Sequence, residues 1–377
     1  MRIACLQENL NRGLGIVGRA VATRTTLPIT GFVLLATDQG RLKLSATNLE
    51  IGISYWLGAE VEEEGSIAVP AGLLTNFVSS LPLERIDLHL PPGSLTLELR
   101  CARYEARIKG QSASEFPPIP QIEEGIATQI DPKLLRSAIN RVVFAAATED
   151  SRPVLTGVHA HFSGGAVTLA AADGFRLAVD QVALEKEVAE DTSIIIPART
   201  LRELDRFLRD QEEPVEVMIN PQRSQILFRL ENLEMVSQLL QGTYPNYKQL
   251  IPQSYNTRAL ISVPEFLRAT RTASVFARDG GGIIRLIITP GGELTPGKIT
   301  LTARAEEVGD NVSELDAMVE GEETKIAFNS RYLLDVLGVL EEEQVALETT
   351  GPSSPGVFRP VGGGNWVHVV MPMFVQW

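Results

Sequence analysis

The residues that could do chemistry are few and scattered. Four histidines, His89, His159, His161 and His368, sit on strand-like segments, and none has the spacing with which one helix face presents two metal ligands. His159 and His161 are two apart and face one side of a strand; without further candidate ligands nearby they read as ordinary surface or core histidines. Serines are plentiful, but no nucleophile elbow or triad signature accompanies them. Gly292-Glu293-Leu294-Thr295-Pro296-Gly297-Lys298-Ile299 has the glycine and lysine spacing of a phosphate loop, yet it places isoleucine where the magnesium-binding hydroxyl belongs. Its surroundings predict a hairpin turn between strands, whereas a phosphate loop leads from a strand into a helix. Cys5 and Cys101 lie in strand-like runs and are too few for a disulfide framework, so they are predicted to be buried free thiols. The expectation is a protein with no catalytic residue, no metal and no cofactor.

Charge is more informative. The chain of 377 residues carries 47 acidic against 34 basic residues, a formal net charge of −13, which argues against a general affinity for nucleic acid. Any contact with a polyanion must be local or topological. One local stripe exists: Arg199, Arg202, Arg206 and Arg209 recur at helical spacing within an arc of about 80°, with Leu201, Leu204 and Leu208 opposite. Glu203 and Asp210 dilute it, and alone it reads as a solvated face. Arg12 and Arg19, Arg136 and Asn140, and Arg268 and Arg271 repeat a basic or polar face on three further predicted helices, suggesting a surface for phosphates without sequence selectivity.

The elements that carry these faces are repeated. Ser66-Ile67-Ala68-Val69-Pro70, Ser193-Ile194-Ile195-Ile196-Pro197 and Lys325-Ile326-Ala327-Phe328-Asn329 are each a short apolar strand ending on a residue suited to a helix start. An earlier helix precedes each, over residues 8–21, 132–145 and 264–276, so the period of roughly 130 residues exceeds that of solenoids and the repeats are whole domains. Alternating runs around glycine turns, such as 32–37 with 42–47 and 157–162 with 167–172, predict antiparallel hairpins. Each domain therefore reads as strand, helix and three strands, twice over, with paired half-units completing a core. The fold class is α+β, two helices per domain backed by antiparallel sheets. Proline-rich joins at 115–120 and 244–252 set the domains near 1–121, 127–253 and 258–377. No apolar run approaches bilayer length and the start lacks a leader pattern, so a cytoplasmic protein without a membrane partner is expected.

Several strings, in this order and spacing, resemble the bacterial DNA polymerase III beta subunit, the sliding clamp. They are Thr26-Leu27-Pro28-Ile29, Asp150-Ser151-Arg152-Pro153-Val154-Leu155-Thr156-Gly157, Ala172-Asp173-Gly174-Phe175-Arg176-Leu177-Ala178, Tyr244-Pro245-Asn246-Tyr247, Phe328-Asn329-Ser330-Arg331-Tyr332-Leu333 and Val369-Val370-Met371-Pro372-Met373. The resemblance covers the whole chain. It implies a head-to-tail homodimeric ring, helices lining the hole, which tethers DNA polymerase III alpha and other polymerases to duplex DNA after opening by an ATP-driven clamp loader. It also implies that Arg24 and the stripe from Arg199 to Arg209 face DNA, while Glu149 stands where an uncharged polar residue is common. By the same resemblance the strand near Arg103 and Ile108 meets Val275 and Phe276 of a second copy. Clamp-binding peptides would lie on Leu155, Ala172, Gly174, Phe175, Arg176, Leu177, Pro245, Leu250, Val369, Val370, Met371, Pro372 and Met373. Here the chain departs from the family: Gln249 replaces a frequently basic residue, Phe175 a frequent histidine or tyrosine, and Phe374-Val375-Gln376-Trp377 a shorter ending. The rival readings are a non-encircling peptide-binding scaffold of the same fold and an enzyme with an unrecognised site.

Overall fold

Every strand that precedes a helix runs into it with at most one intervening residue, and this tight junction shapes the whole architecture. The computed structural model describes residues 1–22, 26–149, 151–278, 281–292, 295–305, 307 and 309–377. The first domain contains β1 (Arg2–Leu6), α1 (Gln7–Val17), β2 (Phe32–Asp38), β3 (Arg41–Thr47), β4 (Ile51–Gly58), β5 (Glu60–Glu63), β6 (Ser66–Pro70), α2 (Ala71–Ser79), β7 (Arg85–His89), β8 (Thr96–Cys101) and β9 (Tyr104–Lys109). The second runs through β10 (Ile126–Ile130), α3 (Pro132–Val142), β11 (Gly157–Ser163), β12 (Ala166–Ala172), β13 (Arg176–Ala183), β14 (Thr192–Pro197), α4 (Ala198–Leu208), β15 (Val215–Ile219), β16 (Gln225–Leu230) and β17 (Leu233–Gln238). The third has β18 (Thr257–Ser262), α5 (Val263–Ala277), β19 (Ile283–Thr289), β20 (Gly297–Ala305), β21 (Gly309–Gly321), β22 (Thr324–Asn329), α6 (Ser330–Gly338), β23 (Gln344–Thr349), β24 (Gly356–Pro360) and β25 (Val367–Val370).

The expected α+β repeat is present, with one difference in its wiring. A strand joined directly to its helix has no loop with which to turn back beside its own half-unit. It pairs instead with the other half: β1 with β7 and β6 with β2 in the first domain, and likewise β10 with β15, β14 with β11, β18 with β23 and β22 with β19. Each half-unit thus lends its first strand to the other.

Sheets also cross the domain joins. β4 pairs with β17, giving an eight-stranded sheet, and β13 pairs with β25, giving one of twelve strands; a five-stranded sheet holds β5, β1, β7, β8 and β9. The chain consequently clusters into two compact units, one of residues 1–132 and 206–239, the other of residues 133–205 and 240–377, both cutting through the central domain. In the second unit α5 shows why a helix forms and where it packs. Pro264 suits the first turn, and Val263, Phe266, Ala269, Thr270, Ala273 and Ala277 form a buried stripe over Ile284, Leu286, Ile299, Leu301 and Phe328. At α6 the Asn329 side chain accepts a hydrogen bond from the Arg331 amide at 2.9 Å, satisfying a donor that the first turn would otherwise orphan. Cys5 and Cys101 are buried and unbonded to each other, as expected. Lys298 lies in β20 and pairs with Glu314 at 2.9 Å, so the lysine of the apparent phosphate loop enters a strand; Glu293 and Leu294 lie outside the described residues. No described helix is long and apolar enough to cross a membrane.

Candidate functional site

A cleft of about 560 Å³ opens in the second unit between three elements: the segment after α3, the turn joining β12 to β13, and the start of α6. The turn is built by Asp173. Its Oδ1 accepts from the amides of Phe175 and Arg176 at 2.9 and 3.0 Å, and Gly174 supplies the left-handed φ of 96° that the bend requires. This geometry turns Phe175 outward, 59% exposed, where it stacks on Tyr332 at 6.4 Å.

Arg176 is committed inward. Its Nε donates to Asp173 at 2.9 Å, its Nη1 pairs with Asp335, and its Nη2 donates to the Phe144 carbonyl at 2.9 Å. The guanidinium also covers the rings of Tyr332 and Phe144, 4.6 and 5.3 Å from their centroids. It locks the turn to α6. Burial, with Asp173 nearby, raises the Tyr332 phenol above its ordinary range, so its hydroxyl stays protonated at the cleft wall.

The other residues named from sequence separate into a cleft lining, a buried core and a neighbouring strip. Leu155, Gly174, Phe175 and Arg176 line the cleft. Ala172, Leu177 and Val369 are buried together with Tyr247, and Val370 belongs to the adjoining core beside Phe328 and Trp366. β25 is a central strand between β13 and β24, so Val369 and Val370 are core, offer almost no surface and do not line the cleft. Pro245 and Leu250 are exposed, on the segment that Tyr244 and Tyr247 pin to that apolar cluster, and they do not line the cleft. The tail leaves β25 with the Met371 amide donating to the Phe175 carbonyl at 2.8 Å and the Met373 amide to the Ala327 carbonyl at 2.7 Å. Pro372 is buried, Met371 and Phe374 are exposed, and Lys325 Nζ sits 5.9 Å over the Trp377 ring. Sequence reasoning missed Arg152, Arg331 and Tyr332 as cleft residues. The strings 150–157 and 328–333 both carry the family resemblance, but neither shows by itself that its side chains meet at one cleft.

The remaining candidates lie elsewhere. Arg24 is outside the described residues. Arg199, Arg202 and Arg206 are exposed on α4, and Arg209 follows just beyond its end. Leu201, Leu204 and Leu208 are buried on the opposite face. Arg202 Nη2 donates to the Val143 carbonyl at 3.2 Å, and burial lowers its pKa from the ordinary value. Arg103 lies in the turn before β9 and is exposed; the Ile108 side chain packs into its own unit, so what it offers a partner is strand backbone. Val275 is 61% exposed near the end of α5, and Phe276 is half-buried against the core. His159 and His161 stack at 6.5 Å and join Tyr244 and Tyr247, and no cluster of three metal-ligating side chains occurs among the described residues.

Behind the cleft, His368 is fully buried between Phe144 and Trp366, and neither ring nitrogen has a hydrogen-bond partner among the described residues. Burial, reinforced by Arg141 and Arg176, lowers its pKa from 6.5 to about 3. Between those values the unfolded chain binds a proton that the folded chain refuses, so this group makes stability fall as pH is lowered through that window. His368→Phe keeps the stacking shape and removes both unsatisfied nitrogens. The variant is expected to be more stable by about 1–2 kcal/mol at about pH 5, measured by urea unfolding; an unchanged or lower midpoint would refute this account of His368.

Comparison with known proteins gives one consistent result. Residues 1–120, 129–246 and 248–374 match the models of the DNA polymerase III beta subunit N-terminal, central and C-terminal domains. The chain is 32% identical over 384 residues to the beta sliding clamp of Bacillus subtilis, and 32% identical over 394 residues to that of Synechocystis, covering 99% of each chain. Its structure matches that of the DNA polymerase sliding clamp from Bacillus subtilis over 100% of both chains, with a TM-score of 0.94 and 29% identity. It also matches a sliding clamp from Pseudomonas aeruginosa bound to griselimycin, with a TM-score of 0.91 and 26% identity over 100% of both chains.

Proposed function

Because this chain belongs to the DNA polymerase III beta-subunit family of DNA sliding clamps, we propose that two copies close head to tail around duplex DNA and that the cleft beside Phe175 docks the peptides of their partners. As a sliding clamp it confers processivity by tethering the replicative polymerase and other replication and repair proteins. Those partners would include DNA polymerase III alpha and an ATP-driven loader. The protein would act without catalysis and in the cytoplasm.

The observation that carries the dimer is a pairing rule with one instance left over. At both internal joins the last strand of a domain's first half meets the last strand of the next domain's second half: β4 with β17, β13 with β25. By that rule β21 needs a partner and so does β9. Among the described residues, 309–317 of β21 pair on one side only, with β20, and β9 pairs only with β8. β9 and the turn before it present Arg103, Arg107 and Lys109 beside Glu105, with Arg107 also 3.4 Å from Glu98, while β21 presents Asp310, Asp316 and the Lys298-paired Glu314. A second copy in head-to-tail order satisfies both edges twice, which is a heterologous contact that closes.

Peptide docking rests on the stacked aromatic pair of Phe175 and Tyr332, which lines the cleft together with Leu155, a surface of the kind that dominates binding energies. Phe175→Ala should weaken a polymerase-derived clamp peptide by about 30-fold, the loss of a typical aromatic anchor of about 2 kcal/mol. Since Phe175 is exposed, folding and dimerisation should be unaffected. Deleting residues 371–377 should abolish peptide binding while the dimer persists. Calorimetry showing unchanged affinity in both proteins would move the docking site elsewhere.

A further inference from the structure

Another hollow, of about 490 Å³, opens in the second unit at the opposite end of β22 from the Phe175 cleft. β22 runs from Thr324 to Asn329, so about 17 Å of strand separates the two, and no residue lines both. Its walls are fixed by backbone. Gly321 ends β21 with a left-handed φ of 93°, where any side chain would collide with the Asn256 carbonyl. Thr257 Oγ1 donates to the Glu322 carbonyl at 2.7 Å, and Asn256 Nδ2 to the Thr350 carbonyl at 3.0 Å. Glu322 and Glu323 alone join Gly321 to β22; both are exposed, both line the hollow, and neither makes an ion pair among the described residues. Glu323 accepts one long hydrogen bond, 3.4 Å from Thr289. Trp377 lines the same hollow at 50% exposure, and Lys325 Nζ sits 5.9 Å over its ring. A cation already rests on the indole, while two carboxylates beside it have none.

We propose that this hollow takes an arginine side chain from a partner protein, its guanidinium face on the Trp377 indole and its N–H fork on Glu322 and Glu323, with Lys325 as the internal stand-in that the incoming group displaces. Indole is the best of the aromatic faces for a cation. An ammonium meets a ring or a carboxylate as a point charge, whereas a planar guanidinium stacks by its face and donates from its edge at the same time. Trp56 shows what a closed set of the same parts looks like. Lys43 Nζ lies 4.6 Å over its ring and 3.9 Å from Asp38, and Asp38 also accepts from the Trp56 indole N–H at 2.7 Å. Ring, cation and acid are all engaged there, and nothing is left for a ligand. At Trp377 the acids are left over. The site also gives a role to the part of the chain that departs from the family, because Trp377 supplies its one aromatic wall.

The test uses the full-length protein labelled with fluorotryptophan, whose three tryptophans, Trp56, Trp366 and Trp377, give separate fluorine NMR signals. The Trp377 signal is assigned by its absence in Trp377→Phe. The probes are arginine and citrulline as N-acetyl methylamides, which share one side-chain shape and differ in carrying a charged guanidinium or a neutral urea. The arginine amide is expected to shift the Trp377 signal saturably while Trp56 and Trp366 stay in place, and the citrulline amide to leave all three unmoved. Lys325→Met, which removes the internal competitor, should tighten arginine binding about fivefold, and the Glu322→Gln, Glu323→Gln double variant should weaken it by a similar factor. All the substituted side chains are exposed, and circular dichroism checks that each variant is folded. A citrulline amide that binds as well, an arginine amide that does not bind the parent, or a folded Lys325→Met protein that binds no more tightly would each overturn the proposal.

Discussion

Once loaded on a nicked circular duplex, the protein is expected to stay bound when salt is raised from about 50 to about 200 mM, and to leave promptly when the circle is cut. A protein held by about 6–10 phosphate contacts loses roughly 10³–10⁵ in affinity over that salt range. The basic residues here are few and partly engaged: Arg202 donates to a backbone carbonyl, Arg136 pairs with Asp205 at 3.2 Å, and the chain as a whole is acidic. Contacts of this kind cannot hold an acidic protein on DNA at moderate salt, whereas a closed ring needs no contact energy to remain. Gel filtration of loaded complexes before and after linearisation separates the two. Equal dissociation from circle and line would contradict encirclement and leave the non-encircling scaffold as the better description.

Val275→Asp is expected to convert the dimer to single chains. Val275 is 61% exposed near the end of α5, with Phe276 beside it and, in the same unit, the stretch of β21 that pairs on one side only among the described residues. An exposed apolar residue at such a place is a liability unless a partner covers it. Losing a buried valine costs about 1.5–3 kcal/mol per interface, and an unpaired carboxylate adds a desolvation penalty. Because a head-to-tail ring of two has two equivalent interfaces, each effect counts twice, and dimer affinity should fall by about 10²–10⁴ or more. Val275 is the better single target because Phe276 is partly packed into its own core, where a charge would disturb folding. Sedimentation velocity at micromolar concentration reads the outcome, with far-ultraviolet circular dichroism as the folding control. A folded Val275→Asp protein that still sediments as a dimer would remove α5 from the interface.

The sequence exposed the repeat, the element order and the turn types because these depend on local chemistry. Apolar alternation marks a strand, Pro70, Pro197 and Asn329 mark helix starts, and Asp173-Gly174 marks a bend. Partner choice between strands is not local. Nothing in Arg2–Leu6 says that it pairs with the strand after α2, because that follows from the missing loop between β1 and α1 and from competition among edges. The cleft shows the same division. Phe175, Leu155 and Arg176 were legible as cleft residues through the family resemblance, whereas the partners on which Arg176 spends its donors, Asp173, Asp335 and the Phe144 carbonyl, were not. Two of those partners lie on other elements. A spacing rule cannot reveal which of several arginines has found its carboxylates, and so Arg152 and Arg331 emerged only from the folded chain.

The sheets that run through the domain joins bear on how the chain is made. Ile51 pairs with Ser237, and Leu177 with Val369, so neither sheet is complete until a distant segment has left the ribosome. The five-stranded sheet of the first domain can close once residues 1–109 have emerged, but the eight-stranded sheet waits for β17 and the twelve-stranded one for β25. Until β17 arrives, β4 presents a bare edge, and the nascent protein must be shielded from pairing with its neighbours on the same message. Non-local pairing of this kind also slows folding, because loop closure must come before any contact rewards it.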